Sequence, residues 1–154
     1  MAYLYPTLQQ TLDIHSKILE ISGGRYGQED AQNLTCTLAM IANNNYYPTF
    51  LDKLTHLAYE VNKKHAFVDG NKRTSIALSE LFLKLNGYHY ILPGFAGFMK
   101  FIAIGVAANI IEKQELKLIL ECLLEGTIMV ESSKVLVVKS TRLYYSEELK
   151  NYVN

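Results

Sequence analysis

Hydrophobic residues recur along most of this chain at the three- and four-residue spacing of an amphipathic helix. The pattern predicts six helices, over residues 8–21, 29–42, 50–63, 71–85, 95–110 and 113–124. Turn-forming residues separate them, as at Asn86-Gly87 and Pro93-Gly94, because glycine adopts left-handed backbone and proline cannot continue a helix. The body of the protein is therefore predicted to be all-helical.

The last part of the chain has a different composition. Residues 127–145 are rich in Val, Ile, Thr and Tyr, and Glu131-Ser132-Ser133 interrupts them. Such residues favour strands, so we expect one or two strands here, followed by a short last helix capped by Ser146. The predicted fold is mainly α: a helical bundle over residues 1–126 with a small β-containing C-terminal tail, residues 127–154, in the same domain.

Length and charge limit the possible functions. The chain has 154 residues, enough for one domain with a sizeable core. It carries 15 Lys+Arg and 15 Asp+Glu, so no overall charge draws it to nucleic acid or to a membrane. The most apolar stretch, residues 95–111, is interrupted by Gly, Lys and Asn, which favours a core helix over a membrane span.

The cysteines and the first residues bear on the compartment. Cys36 and Cys122 lie far apart in apolar helical patterns, so we interpret them as buried free thiols of a reducing cytosol. Residues 1–10 lack a basic patch followed by an apolar run, so no signal peptide is predicted. The expected location is the cytoplasm.

One segment concentrates residues suited to catalysis. Between the third and fourth predicted helices the chain reads His65-Ala66-Phe67-Val68-Asp69-Gly70-Asn71-Lys72-Arg73. The free N–H groups at the start of the following helix form an anion site, and an anion would offset the unfavourable placement of Lys72 and Arg73 there. Asp69 offers hard oxygen ligands to Mg²⁺, and His65 can take a proton near neutral pH. The segment predicts a phosphate-and-metal site beside a general base, as group transfer from a nucleotide to a hydroxyl requires.

Simpler interpretations apply to the same residues. A lone histidine near a helix end is usually structural, and His15, on the first helix beside Ile14 and Ile18, is interpreted in that way. A solvated rim or a weak nucleic-acid contact is the alternative interpretation of the lysines and arginine around the segment, although neither an aromatic platform nor a recognition helix accompanies them. The segment also lacks the glycine spacing and the preceding strand of a Walker loop. Phe67 is most simply a hydrophobic anchor for the loop.

At these residues the chain resembles the Fic/Doc superfamily. The segment from His65 to Arg73 is similar to the superfamily motif in the variant of the death-on-curing (Doc) toxins, which has lysine at the position of Lys72. The resemblance covers residues 8–126 and implies a Fic/Doc-type helical bundle.

The resemblance also implies a role for each motif residue. By that similarity His65 is the catalytic base, Asp69 holds Mg²⁺, and Phe67 sets the loop. Gly70 and Asn71 line the phosphate-binding hole, and Lys72 and Arg73 contact phosphate oxygens; these four form the nucleotide site. ATP is then the substrate that donates the transferred group.

The residue at position 72 separates two activities within the superfamily. Most Fic proteins have glycine there and transfer AMP, whereas lysine fills that space, as in Doc-like members that transfer the γ-phosphate. The resemblance thus implies a Doc-like toxin that phosphorylates a protein hydroxyl, with elongation factor Tu as the expected target and an antitoxin as the expected partner. Glu20 is followed by Ile21 rather than Gly or Asn, which departs from the self-inhibiting Fic pattern. AMP transfer, an inactive helical adaptor and a homodimer formed through the tail remain open.

Overall fold

The computed structural model describes residues 2–153 of the chain, with side chains described up to residue 151. Seven α-helices and one short 3₁₀ helix, His89–Ile91, make up this part of the chain. The α-helices are α1 (Leu8–Ser22), α2 (Ala31–Ile41), α3 (Phe50–Lys63), α4 (Asn71–Leu85), α5 (Leu92–Ala107), α6 (Lys113–Glu125) and α7 (Glu131–Val153). The six helices predicted from periodicity are all present, with ends shifted by at most a few residues.

The helix ends follow from local side-chain chemistry. Thr7 and Thr49 form capping boxes at the starts of α1 and α3, and the Asp30 carboxylate accepts the Asn33 N–H at the start of α2. Gly126 ends α6 in the left-handed conformation. Pro93 and Gly94 are non-helical inside α5, so its regular part begins near Phe95, as the predicted turn implies.

Helices α3, α4 and α5 surround the core and make most of the packing contacts with each other and their neighbours. Several of their side chains are completely buried, among them Leu57, Leu78, Phe82 and Ile102. The stretch His89–Ala107 is long and apolar enough to cross a membrane by length and composition. A core helix passes the same test, and α5 places Ile102 in this core. Cys36 is exposed, contrary to the prediction, because it lies on the outer face of α2; it and Cys122 are free thiols.

The predicted β-containing tail is wrong, because residues 131–153 form the single helix α7 and the described chain has no strand beyond an isolated bridge. Ser146 lies inside this helix and does not start a separate one. The β-branched residues near Val137 favour a strand locally, but packing of α7 on α5 overrides that preference. Ser140 is buried in this contact, and Glu131 stabilises the helix start rather than breaking the element. The division of the chain at residue 126 stays a prediction.

Gly105 permits the close approach of α5 and α7. A Cβ atom at Gly105 would overlap Ser140 Oγ and lie 2.9 Å from Ile111 Cδ1. We expect Gly105→Ala to lower the free energy of unfolding by about 1–3 kcal/mol, because overpacking at this contact outweighs the gain in helix propensity. Gly97→Ala is the matched control on the same helix, since a Cβ there meets nothing within 4 Å. It should raise stability by about 0.5–1 kcal/mol in the same urea titration.

A buried histidine makes the fold acid-sensitive. His56 stacks on Tyr47, and Lys113 Nζ donates to its Nδ1 at 2.7 Å, which leaves the proton of the neutral ring on Nε2. Burial, followed by the nearby charges of Lys113 and Lys64, lowers the pKa of His56 from 6.5 to about 4. The folded ring is therefore neutral between these pKa values while the unfolded ring binds a proton.

The free energy of unfolding must then fall as the pH drops from 6.5 towards 4, because His56 binds a proton in the unfolded chain but not in the folded one. We expect the free energy of unfolding to decrease by about 2 kcal/mol between pH 7 and pH 5 from His56 alone. Urea titrations at the two pH values measure this loss. The loss should be much smaller in His56→Gln, whose side chain does not titrate, and an equal loss in that variant would contradict the assignment.

Candidate active site

The loop between α3 and α4 carries the predicted site residues. Helix α3 ends with Lys64 as its C-cap, and His65 follows in the left-handed conformation at φ +49° with its side chain exposed. Glycine usually occupies this position after a helix because a Cβ there is strained. A strained, exposed histidine is thus held where stability alone would favour glycine, which indicates a functional reason for the residue.

Phe67 fixes the middle of the loop to the body of the protein. Its side chain is 2% exposed and stacks on His15 with ring centroids 3.6 Å apart. Backbone bonds tie the loop to the segment before α2: the Val68 N–H donates to the Gly27 carbonyl, and the Glu29 N–H donates to the Ala66 carbonyl, both at 3.0 Å. The loop is therefore held both by the packing of a side chain and by backbone hydrogen bonds.

Asn71 closes this loop upon itself. Its side-chain oxygen accepts the Phe67 N–H at 3.1 Å, and its side-chain nitrogen donates to the Phe67 carbonyl at 2.9 Å. The buried amide thus holds the loop with both of its polar atoms. Only the backbone N–H of Asn71, in the first turn of α4, is therefore placed to meet an anion, because its side chain is directed to Phe67.

The start of α4 is suited to binding an anion. Gly70 is the N-cap in the left-handed conformation at φ +82°, and α4 has no side-chain cap. The N–H groups of its first turn are therefore left for a ligand. A Cβ at position 70 would stand 3.4 Å from the His15 ring, so glycine here serves both the backbone turn and the tight packing below it.

Asp69 is held as a carboxylate next to this helix start. Its Oδ2 accepts the Arg25 N–H at 3.1 Å, and its Oδ1 accepts the Gly70 N–H at 2.8 Å. The Arg25 N–H, followed by the Gly70 N–H and the nearby Arg73 charge, lowers the pKa of Asp69 against the opposing effect of burial. Arg73 Nη2 lies 3.7 Å from Oδ1, and the side chain of Asp69 remains 39% exposed. The carboxylate is ionised, oriented and accessible.

Arg73 and Lys72 differ in how they are held. Arg73 Nη1 donates to Ser22 Oγ at 2.6 Å and to the Gly23 carbonyl at 2.7 Å, so the C-terminal end of α1 positions this guanidinium. Lys72 is exposed and has no ion-pair partner within the described residues. Both side chains line an open cavity of about 670 Å³.

Most of the far wall of this cavity comes from helices outside the motif. Lys100 of α5 and Tyr144, Glu147 and Glu148 of α7 line it, together with Ile76, Ala103, Ile104 and Asn151. Lys100 Nζ lies 5.1 Å from the centre of the Tyr144 ring. Sequence analysis assigned none of these residues to the site, since no local motif marks a side chain that arrives from a distant helix.

His15 is a further site residue that sequence analysis gave no role. Its Nε2 lies 2.7 Å from the Asp69 carbonyl oxygen, and it is 5% exposed beneath Phe67 and Gly70. It is buried and structural, as interpreted, yet its contacts fix the backbone of the residue proposed to hold the metal. A histidine within an apolar helical pattern gives no sign of such a long-range contact.

Asp69 fits a magnesium ion of the kind that a nucleotide brings. No group of three or more His, Cys, Asp or Glu side chains within the described chain is placed to hold a metal by itself. Mg²⁺ in phosphoryl-transfer sites is bound by one or two carboxylates plus substrate phosphates, so a single accessible carboxylate beside an anion site suits it. When bound, the ion would neutralise charge on the phosphate oxygens.

Two adjacent glycines allow a test of the Asp69 surroundings. Gly23 (φ +80°) and Gly24 (φ +131°) both have backbone conformations that other residues disfavour, but only a Cβ at Gly24 meets neighbours, at 2.8 Å from Asp69 Oδ2 and 2.7 Å from Leu19. We expect Gly24→Ala to reduce group transfer about tenfold more than Gly23→Ala, because it displaces the carboxylate. Equal activity of the two variants in an initial-rate assay would contradict this arrangement.

Comparison with known proteins identifies the family. The model of the Fic/DOC family matches residues 5–83, which include the whole segment from His65 to Arg73 and the contacting residues of α1. The match covers more than half of the chain, so the protein belongs to the Fic/DOC family. A comparison with curated proteins gives no match.

Membership indicates a protein-modifying transferase that moves a nucleotidyl or phosphoryl group, typically from ATP with Mg²⁺. The family match does not distinguish the Doc-like type from other members. It ends at residue 83, whereas the resemblance noted in the sequence extended to residue 126. Helices α5 and α7, which supply most of the far wall of the cavity, therefore lie beyond the matched residues.

Proposed function

We propose that this protein is a Doc-like kinase that transfers the γ-phosphate of Mg–ATP to a hydroxyl group of a protein. The observation that carries the proposal is the placement of Lys72. Its side chain stands in the first turn of α4, at the edge of the cavity that Arg73 also lines. A side chain and a positive charge occupy the place that glycine leaves open in AMP-transferring relatives.

The proposed reaction uses the site residues in distinct roles. His65 takes the proton of the target hydroxyl, whose oxygen attacks the γ-phosphorus, and the bond to the β-phosphate oxygen breaks to release ADP. The N–H groups at the start of α4, with Lys72 and Arg73, bind phosphate oxygens. Asp69 would hold Mg²⁺, which would neutralise charge on the phosphate oxygens.

We further propose that the biological role of this protein is that of a toxin. A Doc-like kinase would act in the cytoplasm, with elongation factor Tu as the target, and would be restrained by a separate antitoxin. The structure offers support for an external restraint: Glu20 is exposed and pairs with Lys17, while Arg73 pairs with Asp69. Glu20 therefore does not pair with Arg73, the motif arginine, as the glutamate of a self-inhibiting helix would.

Labelled ATP tests the chemistry. The protein is incubated with Mg²⁺, elongation factor Tu and other translation factors, and ATP labelled at either the γ- or the α-phosphate. We expect γ-label alone on the target. Label from the α-phosphate on the target would show that the protein is an AMP transferase and not a kinase. Absence of both labels, with His65→Ala behaving as the parent protein, would favour the inactive adaptor.

Lys72→Gly tests the role assigned to the lysine. The substitution removes the side chain and opens the place that glycine occupies in AMP-transferring relatives. We expect the variant to lose γ-label transfer at least tenfold and to gain α-label transfer. Unchanged γ-label transfer would show that Lys72 does not select the reaction. Lys84→Ala is the control variant, because Lys84 is an exposed lysine further along α4. It should leave the transfer of both labels unchanged.

A further inference from the structure

The cavity beside Lys72 and Arg73 is a groove formed mainly by α4, α5 and α7. Helix α5 packs on both of the other two, whereas α4 and α7 do not pack on each other to a comparable extent within the described chain. The buried residues Ala103 and Ile104 of α5 therefore form the floor of the groove, and α4 and α7 form its two walls. The floor and the α7 wall lie beyond the residues matched to the family.

The α7 wall is a single polar face of that helix. The residues of α7 that line the cavity are Tyr144, Glu147, Glu148 and Asn151. Glu147, Glu148 and Asn151 follow Tyr144 by three, four and seven residues, and this spacing places all four side chains on one side of a helix. None of the ion pairs among the described residues includes Glu147 or Glu148. Two unpaired carboxylates thus line this side of the groove.

The α4 wall and the floor carry positive charge. Lys72 and Arg73 come from α4, and Lys100 comes from α5. Like Lys72, Lys100 is exposed and belongs to no ion pair among the described residues. Two aromatic rings hold the Lys100 ammonium group, because its Nζ lies 4.9 Å from the ring centre of Phe101 and 5.1 Å from that of Tyr144. Lys100 is therefore an oriented cation that is available to a ligand.

A ligand that bridges the groove must be anionic towards α4 and the floor, and must donate hydrogen bonds towards α7. A nucleoside triphosphate has these properties, because its phosphates are anionic and its ribose hydroxyls donate. Carboxylates accept hydrogen bonds from ribose hydroxyls in other nucleotide sites. The cavity volume of about 670 Å³ is also in the usual range of small-molecule sites.

We propose that this groove binds the nucleoside triphosphate across its width. Lys100 binds phosphate oxygens together with Lys72 and Arg73, and Glu147 and Glu148 accept hydrogen bonds from the ribose hydroxyls. The inference rests on the proposed function, which makes ATP the substrate, and adds to it a phosphate-binding residue and a ribose-binding wall that the motif does not contain.

Calorimetric titration with ATP and with inorganic triphosphate, in the absence of a target protein, tests the role of Lys100. We expect Lys100→Ala to weaken the binding of both ligands at least tenfold, because both carry the phosphate chain. Lys100→Arg should keep most of the affinity. Lys139→Ala is the matched control, since Lys139 is an exposed lysine of α7 that does not line the cavity. Unchanged ATP affinity in Lys100→Ala would overturn the proposal.

Tyr144 is a positioning residue in this account, because its ring holds Lys100. Tyr144→Leu should weaken ATP binding in the parent protein but cause no further loss in the Lys100→Ala background. A loss of the same size in both backgrounds would show that the ring acts independently of Lys100 and would overturn this role.

The double variant Glu147→Gln/Glu148→Gln tests the ribose wall. It should lower the affinity for ATP about fivefold without lowering that for inorganic triphosphate, which has no ribose. Glu125→Gln is the matched control, because Glu125 is an exposed glutamate at the end of α6 that does not line the cavity. A gain in affinity for both ligands would show that the carboxylates repel phosphate. That gain, an equal loss with both ligands, or an unchanged affinity for ATP would overturn the ribose assignment.

The titrations require no group transfer, so they separate this inference from the proposed kinase. If labelled ATP shows AMP transfer, the kinase proposal fails while the expected binding pattern still supports the groove. If γ-label transfer is found and Lys100→Ala binds ATP as the parent protein does, the groove proposal alone fails. A parent protein that binds neither ATP nor inorganic triphosphate would overturn both.

Discussion

His65→Gly should abolish group transfer and, at the same time, make the fold more stable. His65 is left-handed at φ +49°, directly after the C-cap of α3, where glycine is the favoured residue. Relief of this backbone strain stabilises the fold, whereas the extra freedom of glycine in the unfolded chain opposes it. The net effect should be a free energy of unfolding higher by about 0.5–1 kcal/mol. Loss of the proton acceptor should slow transfer by about 10²–10⁴-fold.

Urea titration and initial-rate assays on the same preparation measure the two effects. His65→Ala separates them, because it removes the base but keeps the strain: transfer should fall equally, with no gain in stability. His89→Ala is the matched control, since His89 is an exposed histidine on the short 3₁₀ helix, away from the site. If His65→Gly retained transfer, or if it lost transfer only through lower stability, His65 would not be the base.

Asp69→Asn is the second substitution with a large expected effect. The amide keeps the size of the side chain but loses the negative charge that suits Mg²⁺. A bound Mg²⁺ stabilises charge in the transition state by several kcal/mol. Loss of its ligand should therefore slow transfer by roughly 10²-fold or more and raise the Mg²⁺ concentration that the reaction requires. Initial rates over a series of Mg²⁺ concentrations measure both quantities.

A control separates the metal role from loss of charge alone. Asp13 is an exposed aspartate on α1 whose carboxylate accepts a hydrogen bond from Gln9. Asp13→Asn removes one negative charge from the same protein and should leave the rate and its Mg²⁺ dependence unchanged. A similar Mg²⁺ dependence in Asp69→Asn and the parent protein would exclude Asp69 as the metal ligand.

The sequence predicts the first six helices well because their signals are local. The apolar stripe of α3 and its Thr49 capping box lie within the element itself, and its predicted bounds, 50–63, coincide with Phe50–Lys63. Helix α7 escapes prediction for the opposite reason. Its β-branched residues favour a strand, and its packing on α5, which includes the close approach of Ser140 to Gly105, joins residues far apart in the sequence.

The same distinction applies to the site. The segment from His65 to Arg73 is contiguous, so its chemistry can be predicted without a structure. The contacts that orient it are not contiguous: His15 reaches the Asp69 carbonyl, Ser22 holds Arg73, and Tyr144 completes the cavity. Each depends on helix packing that no local pattern specifies.

The central proposal is that this member of the Fic/DOC family phosphorylates a protein. The most direct test is the intact mass of purified elongation factor Tu after incubation with the protein and Mg–ATP. We expect the target to gain the mass of one phosphoryl group, and to gain nothing when His65→Ala replaces the parent protein. A gain of the mass of AMP, or an unchanged target, would contradict the proposed kinase.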